Sequence, residues 1–361
     1  MNYSETLRNF EKAEHLRQKS RYPESLALFR KALSGYRSLR DGQGMRDCLM
    51  SIGDVQRMIG NYDLAERSYS KAAAAAGKAG DLTAVADAGT NVALCMRGKG
   101  DWKNALTVIR KTLVFYEGAN DRQATAFALW AMAGTLRIKG DIPGAIRAYS
   151  RCLKLFKGLR QRPAEGYSLC GLGGTHRIAG LFQESLKYYL DANRLFAEIG
   201  DRFGTAYSYC GIGNAHRMLG EYKKALASFG RASRIYKAIG DRVSYSYTLW
   251  SIGTTHKMLG NHSEALGYFR TAQTFFKKTK DPRGVVYCKL GMGEIAMLEG
   301  QKARAKKYVD EAVRLAKEYD FRVEKCHASM VASSLDGRIK AGCYRRLGLR
   351  LSFTRPPFNI P

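Results

Sequence analysis

DRFGTAYSYCGIGNAHRMLGEYKKALASFGRASRIYKAIG, residues 201–240, decides the fold of this chain. It opens on Asp201, whose carboxylate can accept hydrogen bonds from the open amides of a first helical turn. A helical run follows to Gly220, a residue that ends a helix in the left-handed conformation without steric penalty. A second run fills the rest of the stretch. The same design recurs on both sides without an insertion: Gly60, Gly100, Gly140, Gly180, Gly220, Gly260 and Gly300 stand forty residues apart. Asp also opens the unit at Asp41, Asp81, Asp121, Asp241 and Asp281, with Gln161 the exception among the inner starts. An unbroken period of this length marks a solenoid of repeated helix pairs. Nine units, starting at 1, 41, 81, 121, 161, 201, 241, 281 and 321, account for all but the last of the 361 residues.

The prolines agree. Pro23 and Pro143 fall in the first turn of a second helix, and Pro163 and Pro282 at the start of a first helix, where a missing amide is harmless. None interrupts a helix interior, and no strand pattern occurs, so the expected class is all-α, a right-handed α-solenoid of helix-turn-helix units.

Aligned by position, the units repeat their packing residues. Position thirteen is small (Gly53, Ala93, Ala133, Gly173, Gly213, Gly253, Gly293), as is position twenty-five (Ala65, Ala105, Ala145, Ser185, Ala225, Ala265, Ala305). Position twenty-nine is mostly aromatic (Phe29, Tyr69, Tyr149, Tyr189, Phe229, Phe269), and position thirty-two is again small (Ala32, Ala72, Cys152, Ala192, Ala232, Ala272, Ala312). Small residues on facing helices permit close approach, and the ring fills the space beside them. This pattern resembles the tetratricopeptide repeat over residues 1–340. It looks like the forty-residue variant, with Gly-Asp between units, of the kinesin light chains and the Leu-Gly-Asn-repeat polarity adaptors. The resemblance implies a concave groove lined by the first helices, and a protein that binds partners rather than transforming substrates.

Sixty Lys and Arg against 32 Asp and Glu leave a net charge of +28. That is roughly three excess positive charges per unit, a field that favours anionic partners. No apolar stretch approaches the length of a membrane span, and the first twenty residues lack the apolar core of a signal peptide. The eight cysteines form no CxxC pair. Cys170 and Cys210, at equivalent places in stacked units, should lie about 10 Å apart, beyond the Cα reach of about 7 Å for a disulfide. Free thiols in a reducing cytoplasm are the expectation.

Candidate binding residues are those that repeat without an evident packing reason. Position seventeen is basic six times in succession: Arg57, Arg97, Arg137, Arg177, Arg217 and Lys257. A ladder of guanidinium groups along the groove could take carboxylates or phosphates bidentately. The competing reading is that each cation complements the C-terminal dipole of its own helix. Position seven carries Phe127, Tyr167, Tyr207, Tyr247 and Tyr287, with Trp130 and Trp250 nearby at position ten. These rings could grip an extended peptide or stack bases, or they pack against the neighbouring second helix. Asn214, at position fourteen, could hold a ligand backbone as amides do in the resembling repeats. The ligand region is then expected in units four to seven.

His176, His216 and His256 share position sixteen but recur once per unit, too far apart for one ion, and read as packing histidines. No nucleophile–base pair, acid pair or phosphate loop stands out, so neither catalysis nor a cofactor is expected. Beyond residue 340 the pattern decays into a basic segment, 341–361, where Arg345, Arg346, Arg350 and Arg355 alternate with Leu347, Leu349, Leu351 and Phe353. It reads either as a short cap with a loose tail, or as an anchor to a partner, to an anionic membrane, or back into the groove.

The leading expectation is a cytoplasmic adaptor holding an extended acidic segment of a partner protein. The runner-up is a solenoid for RNA or single-stranded nucleic acid, with arginines on phosphates and rings on bases. A peptide-responsive regulator comes third. Regulators of that kind often carry an N-terminal helix-turn-helix, for which no room is expected before the repeats begin.

Overall fold

The computed structural model describes residues 2–361, and eighteen helices account for most of them. The first helices of the nine units are α1 (Tyr3–Gln18), α3 (Gly42–Met58), α5 (Leu82–Gly98), α7 (Arg122–Lys139), α9 (Arg162–Ala179), α11 (Arg202–Met218), α13 (Arg242–Met258), α15 (Pro282–Leu298) and α17 (Arg322–Ser334). The second helices are α2 (Tyr22–Ser38), α4 (Tyr62–Lys78), α6 (Trp102–Gly118), α8 (Ile142–Gly158), α10 (Phe182–Glu198), α12 (Tyr222–Ile239), α14 (His262–Lys278), α16 (Lys302–Glu318) and the short α18 (Gly342–Arg346). Each helix packs on the next, and the first helices of successive units also touch, so α5, α7, α9, α11, α13 and α15 form a continuous inner wall. This is an all-α right-handed solenoid.

The unit boundaries follow the sequence chemistry. Asp41, Asp81, Asp121, Asp201, Asp241 and Asp281 each accept the backbone N–H three residues on, as N-caps do. The small residues at position thirteen make room for the ring at position twenty-nine. Tyr189 lies between Gly173 of its own unit and Gly211 of the next; an added Cβ would come within 2.8 Å and 2.0 Å of the ring. Buried rings such as Tyr69, Tyr189, Phe229 and Phe269 therefore form the spine between the layers. Truncating one of them costs about 3–5 kcal/mol by the usual cavity arithmetic.

The array completes a turn and closes on itself, which the period alone does not reveal. Trp102 Nε1 donates to the Tyr319 carbonyl at 3.0 Å and Lys280 Nζ to Asp63 at 2.6 Å, each across 217 residues. Further along the seam, the Arg350 amide donates to the Ala179 carbonyl at 2.8 Å. Units two to four thus meet the units five places ahead of them, and unit five meets the cap of unit nine. The glycines at position twenty of those units sit in the seam. Gly100 has φ +91°, and a Cβ there would lie 2.8 Å from Pro282 Cγ and 2.9 Å from Tyr319 Cδ1. Where no seam exists, as at Gly220, nothing lies within 4 Å. These glycines therefore serve two needs, a left-handed helix stop and the close approach of a second turn.

The cap departs from expectation. Cys326 and Cys343 form a disulfide, with Cα atoms 5.8 Å apart, while the other six cysteines are free. Cys326 and Cys343 do not occupy equivalent places in stacked units; the pair arises where α18 folds back on α17. Inside the cap, the buried His327 Nδ1 shares a 2.7 Å hydrogen bond with the Tyr344 hydroxyl. Among the described residues, no helix is long and apolar enough to cross a membrane.

Candidate functional site

Closure turns the groove into a lumen. A cavity of about 650 Å³ runs along the inner wall, lined by Arg57, Arg97, Arg137 and Arg177 together with Phe127, Trp130, Tyr167, Tyr207, Tyr247, Trp250 and Asn214. Position seventeen faces inward because it lies one helical turn from position fourteen and two from position ten on each first helix.

A register that the sequence reading missed sets the state of several of these cations. The base at position seventeen reaches position fourteen of the next unit, 37 residues on. Arg17 approaches Asp54 at 3.9 Å in this way, and Lys257 Nζ meets Glu294 at 2.5 Å. Arg57 is also held at 3.6 Å by Asp54 of its own helix, and its Nε donates to the Tyr69 hydroxyl at 3.3 Å. In the middle of the array the counterpart is glycine. Arg97 Nη1 lies where a Cβ on Gly134 would sit, 2.4 Å away, and Arg137 Nη1 stands 2.6 Å from the equivalent point on Gly174. Acids thus neutralise the two ends of the ladder, and glycines leave its centre open. The residue 37 positions after each base, an acid for Arg17 and Lys257 but a glycine for Arg97 and Arg137, is the signal that could have located most of the open segment.

Among the described residues, no carboxylate pairs with Arg97, Arg137 or Arg177. Arg97 rests over the Trp130 ring at 5.6 Å and donates weakly to the Ala131 carbonyl at 3.4 Å. Its guanidinium is held below the ordinary arginine range, first by burial and then by the neighbouring Arg137 and Arg57 charges. Arg137 Nε, Arg177 Nε and Arg177 Nη1 are buried without a hydrogen-bond partner. Such groups carry a desolvation penalty that an incoming acceptor would relieve.

Arg217 and Lys257 are placed differently from the open ladder expected of them. Arg217 is 0% exposed and Lys257 2%. Residues 353–361 occupy their part of the groove. Lys257 Nζ donates to the Phe358 carbonyl at 2.8 Å, Arg217 Nη2 donates to the Ile360 carbonyl at 3.0 Å, and Arg217 Nη1 donates to the Asn359 side chain. The segment is therefore neither loose nor free for a membrane. The open cations belong to units three to five, one step toward the N-terminus from the region expected.

The rings line the lumen, but they are structural as well. Tyr167 and Tyr247 donate through their hydroxyls to Asp201 and Asp281, both at 2.7 Å, tying each ring to the N-cap of the following unit. Tyr167 packs on Phe196 at 4.9 Å, Tyr247 on Phe276 at 4.7 Å, and Tyr207 stacks on Phe203 at 6.0 Å. Phe127 stacks on Trp130 at 5.9 Å. Tyr287 is buried and donates to Glu324 at 2.8 Å, away from the lumen lining. Trp250 is also buried, beneath Arg217 at 5.5 Å. With faces packed and the Tyr167 and Tyr247 hydroxyls engaged, the rings are not the free stacking platform that bases need. The Asn214 amide, expected to hold a ligand, instead accepts from Arg217 Nη2 at 3.2 Å and from Ser251 Oγ at 3.1 Å, while its Nδ2 donates to the Cys210 carbonyl at 3.1 Å.

The three histidines go to separate partners. His176 Nδ1 meets the Leu172 carbonyl at 2.8 Å, His216 pairs with Glu221, and His256 stacks on Tyr268 at 5.5 Å. They act as packing residues at the outer junction of each helix pair.

Residues 3–78 and 165–238 match the tetratricopeptide-repeat family. These stretches are tetratricopeptide repeats, and the same position pattern runs through the units between and beyond them. No curated protein matches the chain in sequence. Solved structures share the fold at low identity. A Rap protein complexed with competence and sporulation factor is 11% identical, with a TM-score of 0.61, over 95% of this chain and 98% of that one. The Rap conjugation gene regulator of plasmid pLS20, in complex with the Phr* peptide, is 12% identical, with a TM-score of 0.64, over 78% and 76%.

Proposed function

We propose that this tetratricopeptide-repeat chain is a non-enzymatic interaction scaffold whose lumen holds an extended acidic segment of a partner protein. The observation that carries the reading is the row of open guanidinium groups at Arg97, Arg137 and Arg177, enclosed by a closed turn and left without carboxylates. An extended chain advances about 3.3 Å per residue. Stacked units about 10 Å apart would therefore meet side chains spaced roughly three residues along it. Acidic residues at that spacing could engage successive arginines bidentately, and the lumen walls would exclude water and strengthen each pair.

The same geometry supports a regulatory variant of this reading, in which a short peptide sets the state of the scaffold. Two structures of like fold are complexes by name, one with competence and sporulation factor and one with the Phr* peptide. A closed turn offers a second state, since ligand contacts across the lumen could bias the seam between closed and open forms.

The test is fluorescence anisotropy with a labelled extended peptide bearing Glu at every third position. Arg137→Glu/Arg177→Glu removes two open cations and should weaken binding by about 2 kcal/mol or more, roughly thirtyfold. Affinity for the unaltered chain should fall steeply with salt. Equal affinity for both proteins would remove the lumen from consideration.

A further inference from the structure

The segment that fills the far part of the groove is held as a ligand is held. Phe358 is 1% exposed and Ile360 4%. The backbone between them is irregular, with the Ile360 amide donating to the Phe358 carbonyl at 3.0 Å, and the groove reads it group by group. Glu294 accepts the Phe358 amide, Lys257 donates to the Phe358 carbonyl at 2.8 Å, and Arg217 Nη2 donates to the Ile360 carbonyl at 3.0 Å. The Asn359 side chain is gripped at both ends: its Oδ1 accepts from Arg217 Nη1, and its Nδ2 donates to the Arg217 carbonyl at 2.8 Å. All three groove residues stand at positions fourteen and seventeen, the register that leaves Arg97 and Arg137 open. The segment runs from α15 toward α11, on a line toward the open arginines. Phe353 and Phe358 meet edge to face at 5.9 Å, and Phe353 packs on Tyr344 of the cap at 5.3 Å, so a single aromatic chain links cap and groove.

The fit is incomplete in one respect. Every acceptor that the segment presents to Arg217 is neutral. Arg217 Nε has no partner, and the charge of a neighbouring cation, Arg177, bears on the group. Burial, with that neighbour, draws the Arg217 guanidinium down to about 9. A carboxylate at the place of the Asn359 amide would keep the shape and supply the missing charge.

We propose that residues 353–361 are an intramolecular latch: they occupy the groove at α11, α13 and α15 and are displaced by a partner segment that can adopt the same turned backbone and carries an acidic residue where the latch has Asn359. The inference rests on the peptide-binding reading above and adds to it a regulator and a local ligand pattern, aromatic, acidic, aliphatic. An occupied groove lowers apparent affinity by the fraction of molecules whose latch is open, so release must raise it.

The experiment uses the full chain and three forms: unaltered, Phe358→Ala/Ile360→Ala to loosen the latch, and Asn359→Asp to tighten it. The probe is a fluorescein-labelled peptide of residues 353–361 with the Asn359→Asp change, followed by anisotropy. The loosened form should bind about tenfold tighter than the unaltered chain, and Asn359→Asp about tenfold weaker. Hydrogen exchange supplies a readout without ligand: the Phe358 and Ile360 amides should be protected in the unaltered chain and exposed in the loosened one. Equal probe affinity across the three forms, or no binding to the loosened form, overturns the latch. If the loosened form binds the Asp peptide and the unmodified Asn peptide equally, the latch stands and the acidic preference falls.

Discussion

Gly100→Ala tests whether the solenoid is closed. The residue has φ +91°, and an added methyl would lie 2.8 Å from Pro282 Cγ, 2.9 Å from Tyr319 Cδ1 and 3.1 Å from Phe321 Cζ. These are stiff rings, and Phe321 is fully buried, so they cannot swing aside. Gly220→Ala is the matched control. It has φ +77° with nothing within 4 Å, because unit six has no second turn above that corner. Both variants place alanine in the left-handed region, at about 1–2 kcal/mol. Only Gly100→Ala adds overpacking, about 1–3 kcal/mol more. The expected losses are therefore about 2–5 kcal/mol against about 1–2 kcal/mol, read as shifts of the urea midpoint. Small-angle scattering gives the second readout: the seam of Gly100→Ala should part and the radius of gyration rise, while Gly220→Ala keeps the dimensions of the unaltered protein. Equal midpoint losses with unchanged radii in both variants would refute the closed turn.

Other outcomes follow from buried charge and from the seam. His327 is held down to about 4 by burial, so in the window from about 6.5 down to 4 the unfolded chain takes a proton that the folded chain refuses, and stability falls with falling pH by up to about 3 kcal/mol. Asp241 is pushed up to about 6 by burial, so between about 4 and 6 the unfolded chain releases a proton that the folded chain keeps, and stability falls with rising pH. The two slopes oppose each other: His327→Gln should leave a protein that weakens from pH 4 to 6, and Asp241→Asn one that strengthens, as followed by thermal melts. Glu294→Gln strands the buried Lys257 and should cost about 3–5 kcal/mol in urea titration, whereas Lys257→Met/Glu294→Leu should recover most of that loss. At the seam, Trp102→Ala should cost about 3–5 kcal/mol, while Lys280→Ala, an exposed pair with Asp63, should change stability by less than about 1 kcal/mol.

Much of this architecture is legible in the chain because each unit repeats its own short-range grammar. Asp201 caps, Gly220 stops, and Phe229 fills the space over Gly213; each is a local choice visible within forty residues. The inward face of the arginine ladder is also legible, since it follows from helical spacing. What escapes is every relation between units. The pairing of Lys257 with Glu294, the opening left by Gly134 and Gly174, and the meeting of Trp102 with Tyr319 depend on how far each unit rotates on the last. A small angle per unit decides whether the first turn meets the second, and no residue type encodes that angle alone. The basic segment misleads for a related reason. Its arginines suggest an exposed, solvated tail, but Phe358 and Ile360 carry the binding, and their pocket is assembled from three distant helices.

The seam at Trp102 and Lys280 changes how such a chain can fold. An open array behaves as a zipper: it nucleates anywhere, grows by nearest-neighbour steps and frays from either end. Contacts between residues 217 positions apart turn that zipper into a ring with a clasp. Growth along the array can be fast and local, but the clasp must wait until more than half the chain is built, and it then has to find its register in one slow step. Once shut, it ties early units to late ones, so loss of an end is felt on the far side of the turn before it travels along the helices between.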